Sequence, residues 1–208
     1  MVVDIMAYIA WRLSGFPRNR VFGIGTILES AAFRVSIGQK LSISPHTIEG
    51  CVLGEHGPNS VPIFSSVVCG STRIRKVYPS FGTEKDNEGY EKIPENVDTN
   101  IRFINKHKGS CSWSLGLIVC HICEVILNDG NIILPLSTHA KVKSSENYSR
   151  FSTTNVPGID KDIFISLPCL VNSNGVRGVM FQDLADDEKD KLYKSAKEIE
   201  TLILSIDW

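Results

Sequence analysis

An excess of charge of either sign is the first thing this sequence lacks. Its 22 basic and 23 acidic residues leave a net charge of −1, so its electrostatics give no reason to expect a polyanionic partner such as nucleic acid. It also lacks a long apolar run. The longest, Leu115 to Leu127, is broken by His121 and Glu124 and falls short of the ~20 residues that span a bilayer. The opening Met1-Val2-Val3-Asp4 has no basic segment and no small-residue cleavage site, so no secretory signal is expected. No Gly-x-Gly-x-x-Gly occurs anywhere; Gly23-Ile24-Gly25 has only two glycines. That excludes the usual glycine-rich pyrophosphate turn from these residues. No internal repeat is present. The six cysteines form no regular loop framework but sit within apolar runs, which fits reduced thiols in the cytosol. Cys120-His121-Ile122-Cys123 has the spacing of half a zinc site, and no second half follows. No metal is expected, and the two cysteines read as small hydrophobes on a buried helix.

What is present is ordinary for a globular chain. It has 208 residues, 42% hydrophobic and 22% charged, enough for one sizeable domain with a buried core. Asp4 to Leu13 reads as a helix with Ile5, Tyr8, Ile9 and Leu13 on one face, stopped by Gly15 and Pro17. Arg20 to Gly23 reads as a short strand. A second helix is expected over Leu28 to Leu41, with Leu28, Ala31, Ala32, Val35 and Leu41 inward. Thr47 to Leu53 and Val61 to Cys69 read as strands, and Gly70 to Gly82 as turn-rich. Glu88 to His107 is helical in composition, with Val97, Ile101, Phe103 and Ile104 as its apolar positions and Pro94 starting or kinking it. Ser112 to Leu127 is apolar almost all round, which predicts a buried central helix. Ile132 to Ser137 reads as a strand. Lys143 to Val156 is polar and reads as a surface loop. Asp162 to Val171 and Val176 to Phe181 form a hairpin across Asn172-Ser173-Asn174-Gly175. Ala185 to Ile206 is an amphipathic helix with Leu192, Ala196, Ile199 and Ile203 on one stripe. His46, His107 and His139 read as surface or loop histidines, and Cys169 as core.

One stretch offers chemistry. In Cys51-Val52-Leu53-Gly54-Glu55-His56-Gly57 an apolar run ends at a glycine and delivers an imidazole between two flexible positions. Histidine titrates near neutrality, so His56 can act as a general acid or base. Read alone, without partner residues, it is more simply a histidine in a loop at a strand end.

The same stretch resembles the catalytic-histidine segment of the L-lactate dehydrogenases. Gly54-Glu55-His56-Gly57 is followed by Ser60-Val61-Pro62, and further matches run in family order. They are Val3-Asp4-Ile5, Trp11-Arg12-Leu13-Ser14-Gly15-Phe16-Pro17, Asn19-Arg20-Val21, Gly82-Thr83-Glu84-Lys85-Asp86, Ser112-Trp113, and Phe164-Ile165-Ser166-Leu167-Pro168-Cys169 with Asn174-Gly175. They correspond to the last two thirds of a family member. The resemblance implies an α+β fold: a substrate domain over residues 26–208, preceded by the last remnant of a Rossmann domain over residues 1–25. It implies that Lys143 to Val156 contains an insertion of roughly a dozen residues, a size surface loops tolerate.

The resemblance also implies roles. His56 matches the histidine that exchanges a proton with a 2-oxo or 2-hydroxy acid while NAD exchanges hydride. Glu29 stands where the family has the aspartate that orients that histidine. Ala32 stands where the family has the arginine that clamps the substrate carboxylate through two hydrogen bonds. Arg34 cannot take over in place, because two residues on it faces about 200° around the helix. Cys111 corresponds to a threonine near the substrate, and Leu115 to an isoleucine that packs on nicotinamide. The family implies a cytoplasmic, tetrameric oxidoreductase of pyruvate metabolism. This chain alone is not expected to bind NAD. The rival reading is a non-catalytic remnant that at most associates with intact subunits.

Overall fold

The computed structural model describes residues 2–140, 162–180 and 184–206. The polar segment Lys143 to Val156 lies outside the described residues. Six helices and eight strands are described. They are α1 (Val2–Ser14), α2 (Ile27–Leu41), β1 (Ile48–Glu49), β2 (Val52–Gly54), β3 (Ser60–Pro62), β4 (Val68–Cys69), β5 (Thr72–Arg73), α3 (Ile74–Val77), α4 (Ile93–Lys108), α5 (Ser112–Leu127), β6 (Ile132–His139), β7 (Phe164–Asn172), β8 (Gly175–Val179) and α6 (Asp186–Leu204).

The larger sheet is antiparallel and is built on β7. β6 pairs along one edge of β7, from Ile132 opposite Val171 to His139 opposite Phe164. The other edge is shared: β2 meets it at Ser166, and β8 takes the stretch from Cys169 to Asn172. β3 then hairpins onto β2. Every residue of β7 is buried, as expected for a central strand covered on both faces. A small sheet, β1-β4-β5, stands apart.

Two apolar cores follow. The main one joins β7 and its neighbours to Ala7 and Tyr8 of α1, Ile122 and Val125 of α5, and Leu192, Ala196, Ile199 and Ile203 of α6. The predicted stripe of α6 is therefore the one it buries. The second core surrounds Phe33 and Ile37 of α2, with Phe64, Phe81, Tyr90, Ile93 and Val97. Its rings form a chain, Phe33 to Phe64 at 5.0 Å, Phe64 to Phe81 at 5.3 Å and Phe81 to Tyr90 at 4.8 Å between centroids. This packing ties α4 to α2 across a gap, and the gap becomes the site.

Several expectations are corrected. Arg20 to Gly23 is not a strand; Arg18–Arg20 is a 3₁₀ turn, and Gly23 makes one bridge to Ser137. The next residues pass so close to β6 that a Cβ on Gly25, at φ +57°, would lie 2.3 Å from the Pro135 carbonyl oxygen. The strand Thr47 to Leu53 is divided, with Pro45–Thr47 a 3₁₀ turn and β1 and β2 in different sheets. Val61 to Cys69 is likewise interrupted by a turn at Phe64–Ser66. On α1 the buried residues are Asp4, Ala7 and Tyr8, whereas Leu13 is exposed. On α2 they are Glu29, Ser30, Phe33, Ile37 and Gly38, and Val35 is exposed. The hydrophobic stripe misled because two polar side chains on the opposite side have partners in β2 and its loop. Phe103 and Ile104 of α4 are exposed.

The largest correction concerns α5. It is not a buried central helix: only Ile122 and Val125 are buried, and Trp113, Leu117 and Leu127 are 74%, 71% and 84% exposed. Cys120 and Cys123 are exposed as well. His139, expected at the surface, is fully buried on β6, with Nε2 3.0 Å from Asp162 and its ring edge-on to Trp11. No single helix among the described residues is long and apolar enough to cross a membrane.

Candidate active site

The site is built where α2 runs beside the strand that carries His56. Two hydrogen bonds fix that contact: Thr26 Oγ1 donates to the Val52 carbonyl at 2.5 Å, and the Val52 N–H donates to Ser30 Oγ at 2.9 Å. At the start of α2, Ser30 Oγ donates back to the Thr26 carbonyl at 2.7 Å. All are buried, where such bonds are costly to lose. Glu29 lies between Thr26 and Ser30 in sequence, so its position relative to β2 is set by its neighbours.

The loop after β2 is held from two other elements. The His56 N–H donates to Asp4 Oδ2 at 2.9 Å, and Asp4 Oδ1 accepts from Ser137 Oγ at 2.6 Å. The Glu55 N–H donates to Ser195 Oγ of α6 at 2.8 Å, and Glu55 Oε1 accepts from the Asn59 N–H at 3.0 Å. Asp4, Glu55, Ser137 and Ser195 are all fully buried. Gly54 has φ +89°, and a Cβ there would come within 2.9 Å of Ser195 Oγ. Here the glycine of the motif is required by a turn and by a close approach.

These supports bring His56 Nδ1 to 2.7 Å from Glu29 Oε1. The ring is about a quarter exposed and the carboxylate is buried. The hydrogen bond that the ring donates to Glu29 raises the His56 pKa above its ordinary value, and burial opposes the shift without cancelling it. An imidazole whose Nδ1 faces a carboxylate presents Nε2 on its opposite side, the arrangement needed by a proton donor or acceptor. His56 and Glu29 both line a partly open cavity of about 120 Å3, shared with Phe33, Val52, Pro62 and the α4 residues Val97, Asp98 and Ile101.

The other residues singled out in the sequence are placed differently. Ala32 packs against the second core and is not among the cavity-lining residues. Cys111 sits in the α4–α5 turn with Sγ 3.2 Å from Asn105 Oδ1, outside the cavity. Leu115, partly buried in the first turn of α5, does not line it either. No Gly-x-Gly-x-x-Gly occurs in the sequence. Among the described residues no group of three or more His, Cys, Asp or Glu side chains is arranged to hold a metal. Cys169 is core, its thiol pushed up to about 12 by burial.

Sequence reading missed Thr26, Ser30, Asp4 and Ser195 as supports. The first two flank Glu29 and carried a weak local signal. Asp4 and Ser195 reach the loop from 52 and 140 residues away, a distance at which no local pattern connects them.

The same residues can be set beside known proteins. The model of the lactate/malate dehydrogenase α/β C-terminal domain matches residues 26–206. The L-lactate dehydrogenase A chain of Danio rerio is 38% identical over 197 residues, covering 95% of this chain and 55% of that protein. The A chain of Cyprinus carpio is 36% identical with the same coverage, and that of Columba livia is 37% identical over 93% of this chain and 54% of its own length. The chain thus spans about half the length of these relatives. With the fold, the order of motifs and the matched span in agreement, this chain belongs to the lactate/malate dehydrogenase family and carries its C-terminal domain.

Proposed function

We propose that this chain supplies the proton-transfer half of an L-lactate dehydrogenase-like reaction, the interconversion of a 2-hydroxy acid such as lactate and a 2-oxo acid such as pyruvate, in a form impaired at the substrate carboxylate. The observation that carries the reading is the His56–Glu29 pair, 2.7 Å apart on the wall of a cavity. Protonated His56 donates from Nε2 to a carbonyl oxygen, and the neutral ring accepts the hydroxyl proton in reverse. Glu29 holds the ring orientation and stabilises the imidazolium. Asp4 fixes the backbone of the same residue. Impairment follows from Ala32, which brings no guanidinium to the cavity. Joined to the N-terminal part of the Danio rerio relative, the chain should show a weak pyruvate reductase activity that His56→Ala abolishes. Equal rates with and without the imidazole would refute the assignment.

Residues 26–208 act on this reading as the substrate domain and residues 1–25 as the tail of a cofactor domain; the family match beginning at residue 26 supports that division. NAD is the cofactor implied by kinship, and these 208 residues do not hold it by themselves. Titration of the purified chain into NADH, followed by fluorescence, should show no saturable binding; a micromolar dissociation constant would overturn this. A cytoplasmic location accords with the same kinship.

The uncovered apolar side chains of α5 support association, with further copies or with intact L-lactate dehydrogenase subunits. Size-exclusion chromatography should give species larger than a monomer, and a clean soluble monomer would contradict it. The remnant reading is favoured by one specific observation, the packing of Ala32 on the second core. It predicts such association with no turnover in the hybrid.

A further inference from the structure

Two positive groups stand at or beside the cavity, and both are already paired. His56 Nδ1 is 2.7 Å from Glu29 Oε1. Arg102 Nε is 2.7 Å from Asp98 Oδ2, and the arginine, 69% exposed, is not among the lining residues. Among the described residues, the lining holds two carboxylates, Glu29 and Asp98, one imidazole, and no lysine or arginine. Much of the rest is apolar, including Phe33, Val52, Pro62, Val97 and Ile101.

A carboxylate ligand entering this space would be a third anion beside Glu29 and Asp98, which already engage the two cations, His56 and Arg102. Leaving a charge without a partner in a partly buried site is costly. It would also have no proton to offer Asp98, since an ionised carboxylate only accepts hydrogen bonds. A carboxamide of the same shape is uncharged, and its N–H groups can donate to the Asp98 carboxylate. Its neighbouring hydroxyl or carbonyl still meets His56. Selectivity here therefore turns on a repulsive element as much as on an attractive one.

We propose that the cavity selects small uncharged 2-hydroxy or 2-oxo compounds bearing a hydrogen-bond donor, of the carboxamide class, over the corresponding acids. Asp98 is the specificity-determining residue. This inference rests on the reading of His56 as the group that meets the carbonyl or hydroxyl.

The test is titration of the isotope-labelled chain with lactamide and, separately, with lactate, following the signals of His56, Val97 and Ile101. Lactamide should bind about tenfold or more tightly than lactate, a ratio within the range set by one unfavourable polar contact. Asp98→Asn should narrow the gap by relieving the anion, and Ala32→Arg should reverse the order. Equal or tighter binding of lactate would overturn the proposal. So would failure of lactamide to perturb those signals. Loss of lactate binding in Arg102→Ala would identify Arg102 as the cation that had reached the cavity. The two readings fail separately: if lactamide shows no preference while His56→Ala still abolishes turnover in the hybrid, selectivity is refuted and proton transfer stands.

Discussion

In a hybrid with the N-terminal part of the Danio rerio relative, replacing Ala32 by Arg should raise kcat/KM for pyruvate by about two to four powers of ten. The side chain at position 32 starts one helical turn beyond Glu29 and next to Phe33, both of which line the cavity. A guanidinium extended from that turn can meet the substrate carboxylate with two hydrogen bonds. Removing one partner of such a buried charge pair typically costs ~2–5 kcal/mol, and ~1.4 kcal/mol is tenfold in rate. The methyl group of Ala32 now packs on the second core, so part of the gain is offset by lost packing, well below the value of the clamp. Glu29→Asp should add a smaller increase, because a side chain one methylene shorter re-centres the ring and about 1 Å matters at a reacting centre. Steady-state kinetics at saturating NADH compare the variants. A normal rate in the hybrid that keeps Ala32 would show that another group holds the carboxylate.

Legibility in the sequence followed the length scale of the interactions. The stripe of α6 was readable because four apolar residues at helical spacing face one core, and the β7–β8 hairpin because Asn172 to Gly175 is a compact turn. The buried face of α2 was not. Glu29 and Ser30 point inward because β2 and its loop, more than 20 residues away, satisfy them, and apolar periodicity assigns such positions to solvent. α5 failed in the opposite direction. A helix apolar all round predicts cover, and the described residues cover only its Ile122 and Val125 side. His139 is buried because Asp162, 23 residues on, meets its ring. As for the site, residue spacing alone offered His56 as one imidazole between glycines. Its pairing with Glu29 entered through resemblance to a family. Asp4, Ser195 and the α4 wall of the cavity had no local signal.

The account turns on whether Glu29 holds His56 as a poised acid. The raised pKa also has a consequence for stability. A group bound more tightly to its proton in the folded state contributes stability that is fully present below its unfolded pKa, near 6.5. That contribution is lost as pH rises through the folded value. Urea midpoints should therefore decline over this interval in the parent chain, and the decline should flatten in Glu29→Gln. The most direct measurement is the titration of the His56 ring itself by nuclear magnetic resonance, in the parent chain and in Glu29→Gln. The parent should titrate above 6.5, and the variant below the parent, since burial then acts without the carboxylate that opposes it. A parent ring that titrates at or below 6.5, or one that Glu29→Gln leaves unmoved, would contradict the account.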